Sequence, residues 1–161
     1  MFLPDYNNLL IRKKNVLQYS NYINTLDLKA LKEALEIQGK IIFKFDDNTL
    51  QIDNVFGVSF LKDIYYSFLD KKNLSNEINI HYWEDWGHRI DIFKENTSVK
   101  IVNYDSNKRE FIVLPIEIFF NEIKDVINSI YILVYAVYYP EIDSKEFFEE
   151  LKKYSQINLK W

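Results

Sequence analysis

Residues 77–113 read EINIHYWEDWGHRIDIFKENTSVKIVNYDSNKREFIV. Ile78, Ile80 and Tyr82 alternate with Asn79, His81 and Trp83. Ile90 and Ile92 alternate with Arg89 and Asp91, and Val99 and Ile101 with Lys100 and Val102, before Phe111 and Val113 close the set. A period of two sends successive side chains to opposite faces, so each run predicts a strand with one buried face. The segments between them, Glu84 to Gly87, Glu95 to Thr97 and Asp105 to Lys108, are short and turn-like. Links this short favour hairpins over crossovers, so the stretch predicts an antiparallel meander.

Toward the C-terminus the period changes. Pro115 fits the first position of a helix, where its missing N–H is no loss. Ile116, Phe120, Ile123, Ile127, Ile130, Val134 and Val137 step by four and three, and Phe119, Val126 and Leu133 form a second apolar row. This predicts a long, largely buried apolar helix near 115–139, stopped at Pro140. Asp143 with Glu146 matches a capping box and opens a short C-terminal helix bearing Phe147, Phe148, Leu151 and Tyr154.

Toward the N-terminus, Phe60, Leu61, Ile64, Tyr65, Phe68 and Leu69 share one helical face after Gly57. Ile41, Phe43 and Phe45, a turn at Asp46-Asp47-Asn48, then Leu50 and Ile52 predict a β-hairpin. Leu28, Leu31 and Leu35 predict a helix capped by Asp27 or Thr25 and ended by Gly39. Residues 1–24 are weakly patterned, with Leu9 to Ile11 as the start of a strand. The expected fold is one α+β domain over 1–161, an antiparallel meander packed on one face by helices.

Composition narrows the function classes. The chain has 161 residues with 12 Phe, 12 Tyr and 3 Trp against three Gly, three Pro and no Cys. Such an apolar, aromatic chain is not disordered. Without Cys there is neither a disulfide framework nor a thiolate metal site. Three scattered glycines cannot form a glycine-rich phosphate loop. Lys and Arg number 20 and Asp and Glu 24. The resulting net charge of -4 argues against direct nucleic-acid binding, because neutralising phosphates needs a basic excess. The start, MFLPDYNN, has no basic n-region followed by an apolar stretch, so no secretory signal is expected. The longest apolar run, Ile130 to Tyr139, is ten residues. A bilayer span needs about 20. The expectations are a cytoplasmic location and no membrane partner.

The densest chemical cluster is His81-Tyr-Trp-Glu84-Asp85-Trp86-Gly-His88, which holds both histidines. His81, Glu84 and His88 could serve a metal-dependent or acid/base hydrolase, since zinc accepts imidazole and carboxylate. Their spacing matches no standard zinc signature, and no nucleophile or oxyanion device sits nearby. A second reading is an aromatic hairpin with a polar turn. A third is a protein-binding patch, because Trp, Tyr and flanking charge compose interface hot spots. Asp46, Asp47 and Asp53 lack the spacing of a calcium loop and read as turn chemistry. The acidic series Glu141, Asp143, Glu146, Glu149 and Glu150 reads as a solvated helix face or as a surface for a basic partner. No catalytic residue, cofactor or metal is expected.

One arrangement carries a resemblance. The stretches Gly57-Val-Ser-Phe-Leu-Lys-Asp-Ile-Tyr-Tyr-Ser-Phe-Leu69, Ile80-His-Tyr-Trp-Glu-Asp-Trp86 and Pro115-Ile-Glu-Ile-Phe-Phe120 run helix, meander, helix. Tyr139-Pro140-Glu141-Ile142 then precedes a last short helix. In element order, over about residues 40–155, the chain resembles the small cytoplasmic immunity proteins of bacterial polymorphic toxin and contact-dependent growth inhibition systems. The resemblance implies a non-enzymatic protein that binds one cognate toxin domain, often a nuclease, and blocks it. It assigns no residue. On residue chemistry the expected contacts are Glu84, Asp85, Trp86, His88 and Asp91, then Glu141, Asp143 and Glu146. The alternative to that hydrolase and to toxin binding is a structural or phage-derived interaction protein that self-associates through its aromatics.

Overall fold

The alternation in residues 77–113 builds a four-stranded antiparallel sheet. The computed structural model describes residues 1–69, 77–81, 89–105 and 108–159, with Ile80 and His81 described through their backbone. Strands β4 (Glu77–His81), β5 (Arg89–Glu95), β6 (Ser98–Asp105) and β7 (Lys108–Pro115) lie in that order. Ile78, Ile90, Ile92, Val99, Ile101, Ile112 and Leu114 are buried on the inner face, as the period of two requires.

The N-terminal part forms a second antiparallel sheet. Its strands are β1 (Phe2–Pro4), β2 (Gln38–Phe45) and β3 (Asn48–Phe56) in that order. The β2–β3 hairpin is the expected one, and Asp46 turns it with φ 51. Asp and Asn tolerate that left-handed conformation better than most residues. β1 enters beside β2 at Gly39, where an added Cβ would lie 2.5 Å from both the Leu3 carbonyl oxygen and the Phe2 ring. Gly39 therefore does not end a helix. It permits the close approach of β1.

The helices are α1 (Tyr6–Ile23), α2 (Leu28–Ala34), α3 (Gly57–Leu69), α4 (Ile116–Tyr138) and α5 (Lys145–Ser155). α3 and α4 contribute Phe60, Leu61, Ile64, Phe68, Phe119, Ile123, Val126, Ile127, Ile130 and Val134 to one connected core shared with both sheets. α4 lies against β1, β6 and β7, α3 against β3 and β4, and α5 on α2, α3 and α4. α2 starts at the expected cap, where Asp27 Oδ1 accepts from Ala30 N at 2.8 Å.

Three further expectations for the helices change. Leu9 to Ile11 lies inside the 18-residue helix α1 and not in a strand. Asp5 caps that helix by accepting from Asn7 N and Asn8 N. The cap of α5 is Ser144, whose Oγ accepts from Phe147 N, one residue later than the Asp143 box. The Asp143 amide instead donates to Asn24 Oδ1 at 2.9 Å, tying the α4–α5 link to the end of α1. Pro115 is the last residue of β7, and α4 begins immediately after it.

Candidate functional site

The helices cover the inner face of the β4–β7 sheet, and the opposite phase of each strand forms an outer face. Register sets that face in three rows. Arg89 pairs with Tyr104, which pairs with Arg109. Asn79, Asp91, Val102 and Phe111 form the next row, and Glu77, Phe93, Lys100 and Val113 the third.

The first row is a cation–aromatic stack. The Arg89 guanidinium lies 4.3 Å from the Tyr104 ring centre and the Arg109 guanidinium 5.3 Å from it. In the other rows Lys100 Nζ sits 4.7 Å from the centre of the Phe111 ring. Each such contact stabilises an exposed site by about 0.5–1 kcal/mol and limits the rotamers of a long side chain. Val102 is fully buried beneath these groups yet stands outside the main core. Phe111 remains 59% exposed and Val113 40%.

Asp91 anchors the array from below. It is 1% exposed. Its Oδ2 accepts from Arg89 Nε at 3.1 Å and faces Nη2 at 3.0 Å. Asn79, with its amide nitrogen turned toward the acids, donates to Asp91 Oδ1 at 2.6 Å and to Glu77 at 3.1 Å. A buried carboxylate must be paired or hydrogen-bonded, and here both oxygens are. The Tyr104 hydroxyl, followed by the Asp91 charge, holds Arg89 protonated above its ordinary range. Asp91 thus orients Arg89 from beneath the outer face.

The other expected residues divide. Glu84, Asp85, Trp86 and His88 lie outside the described residues. The chain that carries them leaves β4 at His81 and re-enters β5 at Arg89, a cross-strand pair at the end of the Arg89–Tyr104–Arg109 row. Glu141 is half-buried, and Asp143 and Glu146 are exposed. Glu141 and Asp143 lie in the α4–α5 link and Glu146 in the first turn of α5. Glu150, from the same acidic series, is engaged: Lys32 Nζ lies 3.1 Å from it and the Tyr154 hydroxyl donates to it. The Tyr154 bond, then Lys32, holds the Glu150 carboxyl below its usual range despite partial burial. Among the described residues no three metal-ligating side chains cluster, and no helix is long and apolar enough to cross a membrane.

Phe111 and Val113, expected on the buried face of the last strand, are exposed on its outer face, and Ile112 and Leu114 face the core instead. Val102, Phe111 and Val113 are apolar in the phase opposite to Ile101 and Ile112. Apolar residues on both phases of a half-buried strand mark a second apolar face. Comparison with known protein families, with characterised proteins and with solved structures finds no match to this chain.

Proposed function

We propose that this protein is a stoichiometric binding protein that neutralises a cognate bacterial toxin domain, with the outer face of β4–β7 as its main contact surface. The observation that carries this reading is the guanidinium-braced Tyr104 beside exposed Phe111 and Val113. Tyr and Arg, with Phe among the enriched aromatics, are the residue types that anchor interfaces. Held in place before binding, such anchors lose little side-chain entropy on contact. Acidic and aromatic residues of the sequence between β4 and β5, Glu84, Asp85 and Trp86, are of the types that steer and anchor such an encounter. The resemblance of its element order to immunity proteins supports this class of partner, and the cytoplasm of the producing cell is where such a blocker would act.

Mixing the protein with any secreted toxin domain found encoded beside its gene tests the reading. An equimolar mixture should elute as one complex in gel filtration and should silence the toxin. Phe111→Ser combined with Arg109→Glu, both exposed positions, should weaken the complex by about 2 kcal/mol or more, roughly thirtyfold in Kd, with thermal unfolding little changed. A toxin that stays fully active at equimolar protein overturns the proposal.

A further inference from the structure

Helix α1 carries apolar residues on two faces: Leu9, Val16 and Ile23 meet the core, and a second row faces outward. Only Val16 and Ile23 are buried along its 18 residues. Polar bonds add to that apolar contact. Asn8 exchanges hydrogen bonds with Gln38 at 3.2 and 3.3 Å, and Arg12 Nη1 donates to the Ala34 carbonyl at 3.1 Å. Meanwhile Tyr6, Leu10 and Leu17 are 72%, 66% and 56% exposed. Their spacings of four and seven put them in one row, with Lys13 in line and Lys14 beside it. Ile11 adds exposed apolar surface beyond Lys14, and Tyr22 is exposed past the kink at Tyr19. Ordinary surface helices turn the apolar stripe to the core. An exposed apolar row with basic residues set into it suits a partner that covers it.

Charge selects what covers it. α1 carries Arg12, Lys13 and Lys14 and no acidic residue, in a chain of net charge -4. Neither Lys13 nor Lys14 enters an ion pair among the described residues. A second copy laid antiparallel along this row would set Lys13 near its own mate, a like-charge juxtaposition that disfavours self-pairing. An anionic membrane surface recruits helices with clusters of roughly four to eight basic residues. Here two exposed lysines stand among Asn7, Asn15, Gln18 and Asn21. We infer that α1 is a second docking element, read by a partner at Tyr6, Leu10 and Leu17, whose receiving groove is apolar and rimmed by Asp or Glu. The inference rests on the toxin-binding reading, with the toxin domain supplying that acidic-rimmed groove.

The test uses the intact protein and any secreted toxin domain found encoded beside its gene. Association is followed by surface plasmon resonance at low and moderate salt. Leu10→Ser with Leu17→Ser should weaken binding at least about tenfold, with the dissociation rate rising most. Lys13→Glu with Lys14→Glu should slow association about tenfold at low salt and flatten its salt dependence. Both pairs are exposed, and unchanged thermal unfolding confirms the fold. A wild-type complex that both variants leave unchanged overturns the inference and leaves the toxin-binding reading standing. Failure of the wild-type protein to bind overturns both. Light scattering that shows a dimer abolished by Leu10→Ser assigns the row to a second copy, and sedimentation with phosphatidylserine vesicles that Leu10→Ser abolishes assigns it to a membrane. Either result also overturns the inference.

Discussion

Glu36 shows how a single buried group can govern stability. It sits between α2 and β2 and reaches the first turn of α3. Its Oε1 accepts from Val58 N at 2.6 Å, and its Oε2 accepts from Ser59 N at 3.2 Å and from Ser59 Oγ at 2.8 Å. A carboxylate suits a helix N-terminus, whose first amides lack partners. Burial opposes the charge and wins, pushing the Glu36 carboxyl up to about 7. The Tyr138 hydroxyl in the same region is buried, has no hydrogen-bond partner among the described residues and is raised by burial, so it lends Glu36 no proton at neutral pH. The sign follows from proton counting. Between the unfolded value near 4.5 and about 7 the folded state holds a proton that the unfolded chain has lost. Stability from this group is therefore complete below pH 4.5 and falls as pH rises through 7, by up to about 3 kcal/mol. Urea unfolding from pH 4.5 to 8 should show that decline in the wild type and its loss in Glu36→Gln. A constant difference between the two across the range would refute it. Nothing in the spacing of Glu36 announces this role, because Val58 and Ser59 are more than twenty residues away.

At the scale of elements, legibility tracked periodicity. β5, β6 and α4 were readable because Ile90, Ile92, Val99, Ile101 and the four-and-three stepping from Ile116 repeat without interruption. α1 was not readable for the physical reason that makes it interesting. Its exposed Tyr6, Leu10 and Leu17 and its inward Asn8 and Arg12 cancel the amphipathic signal that marks a helix. β1 escaped notice because three residues carry no period, and its place is fixed by Gly39, far along the chain. That dependence makes a prediction. In Gly39→Ala the new methyl meets the Leu3 carbonyl, which belongs to backbone and cannot swing aside. The strand must shift, at a cost of about 1–3 kcal/mol. Hydrogen exchange should locate the damage: the Ile42 amide, which donates to the Met1 carbonyl, and the Asp5 amide, which donates to the Gln38 carbonyl, should lose protection while β6 keeps it. Full protection of both amides in Gly39→Ala would show that β1 tolerates the methyl.

At the scale of the molecule the question is whether two sheets make one cooperative unit. The sequence predicted the hairpin and the meander as separate runs, with helices covering one face of an antiparallel sheet. In the structure β7 also abuts β2 and β3, so the sheets meet directly as well as through α3 and α4. Phe43, from the three-stranded sheet, and Ile101, from the four-stranded one, are both essentially inaccessible and belong to the same core. A shared core means that a cavity on either side weakens the whole. Phe43→Ala should cost about 3–5 kcal/mol and Ile101→Ala about 2–5. In each variant the far-ultraviolet signal and the tyrosine near-ultraviolet signal should move together to one lower urea midpoint with an unchanged slope. Two separable transitions in Phe43→Ala, one of them at the wild-type midpoint, would mean that the sheets unfold independently. The coupling matters for binding. A partner that grips both the outer face of β4–β7 and the α1 row would then hold one rigid body, and its contacts would add along a single unfolding equilibrium.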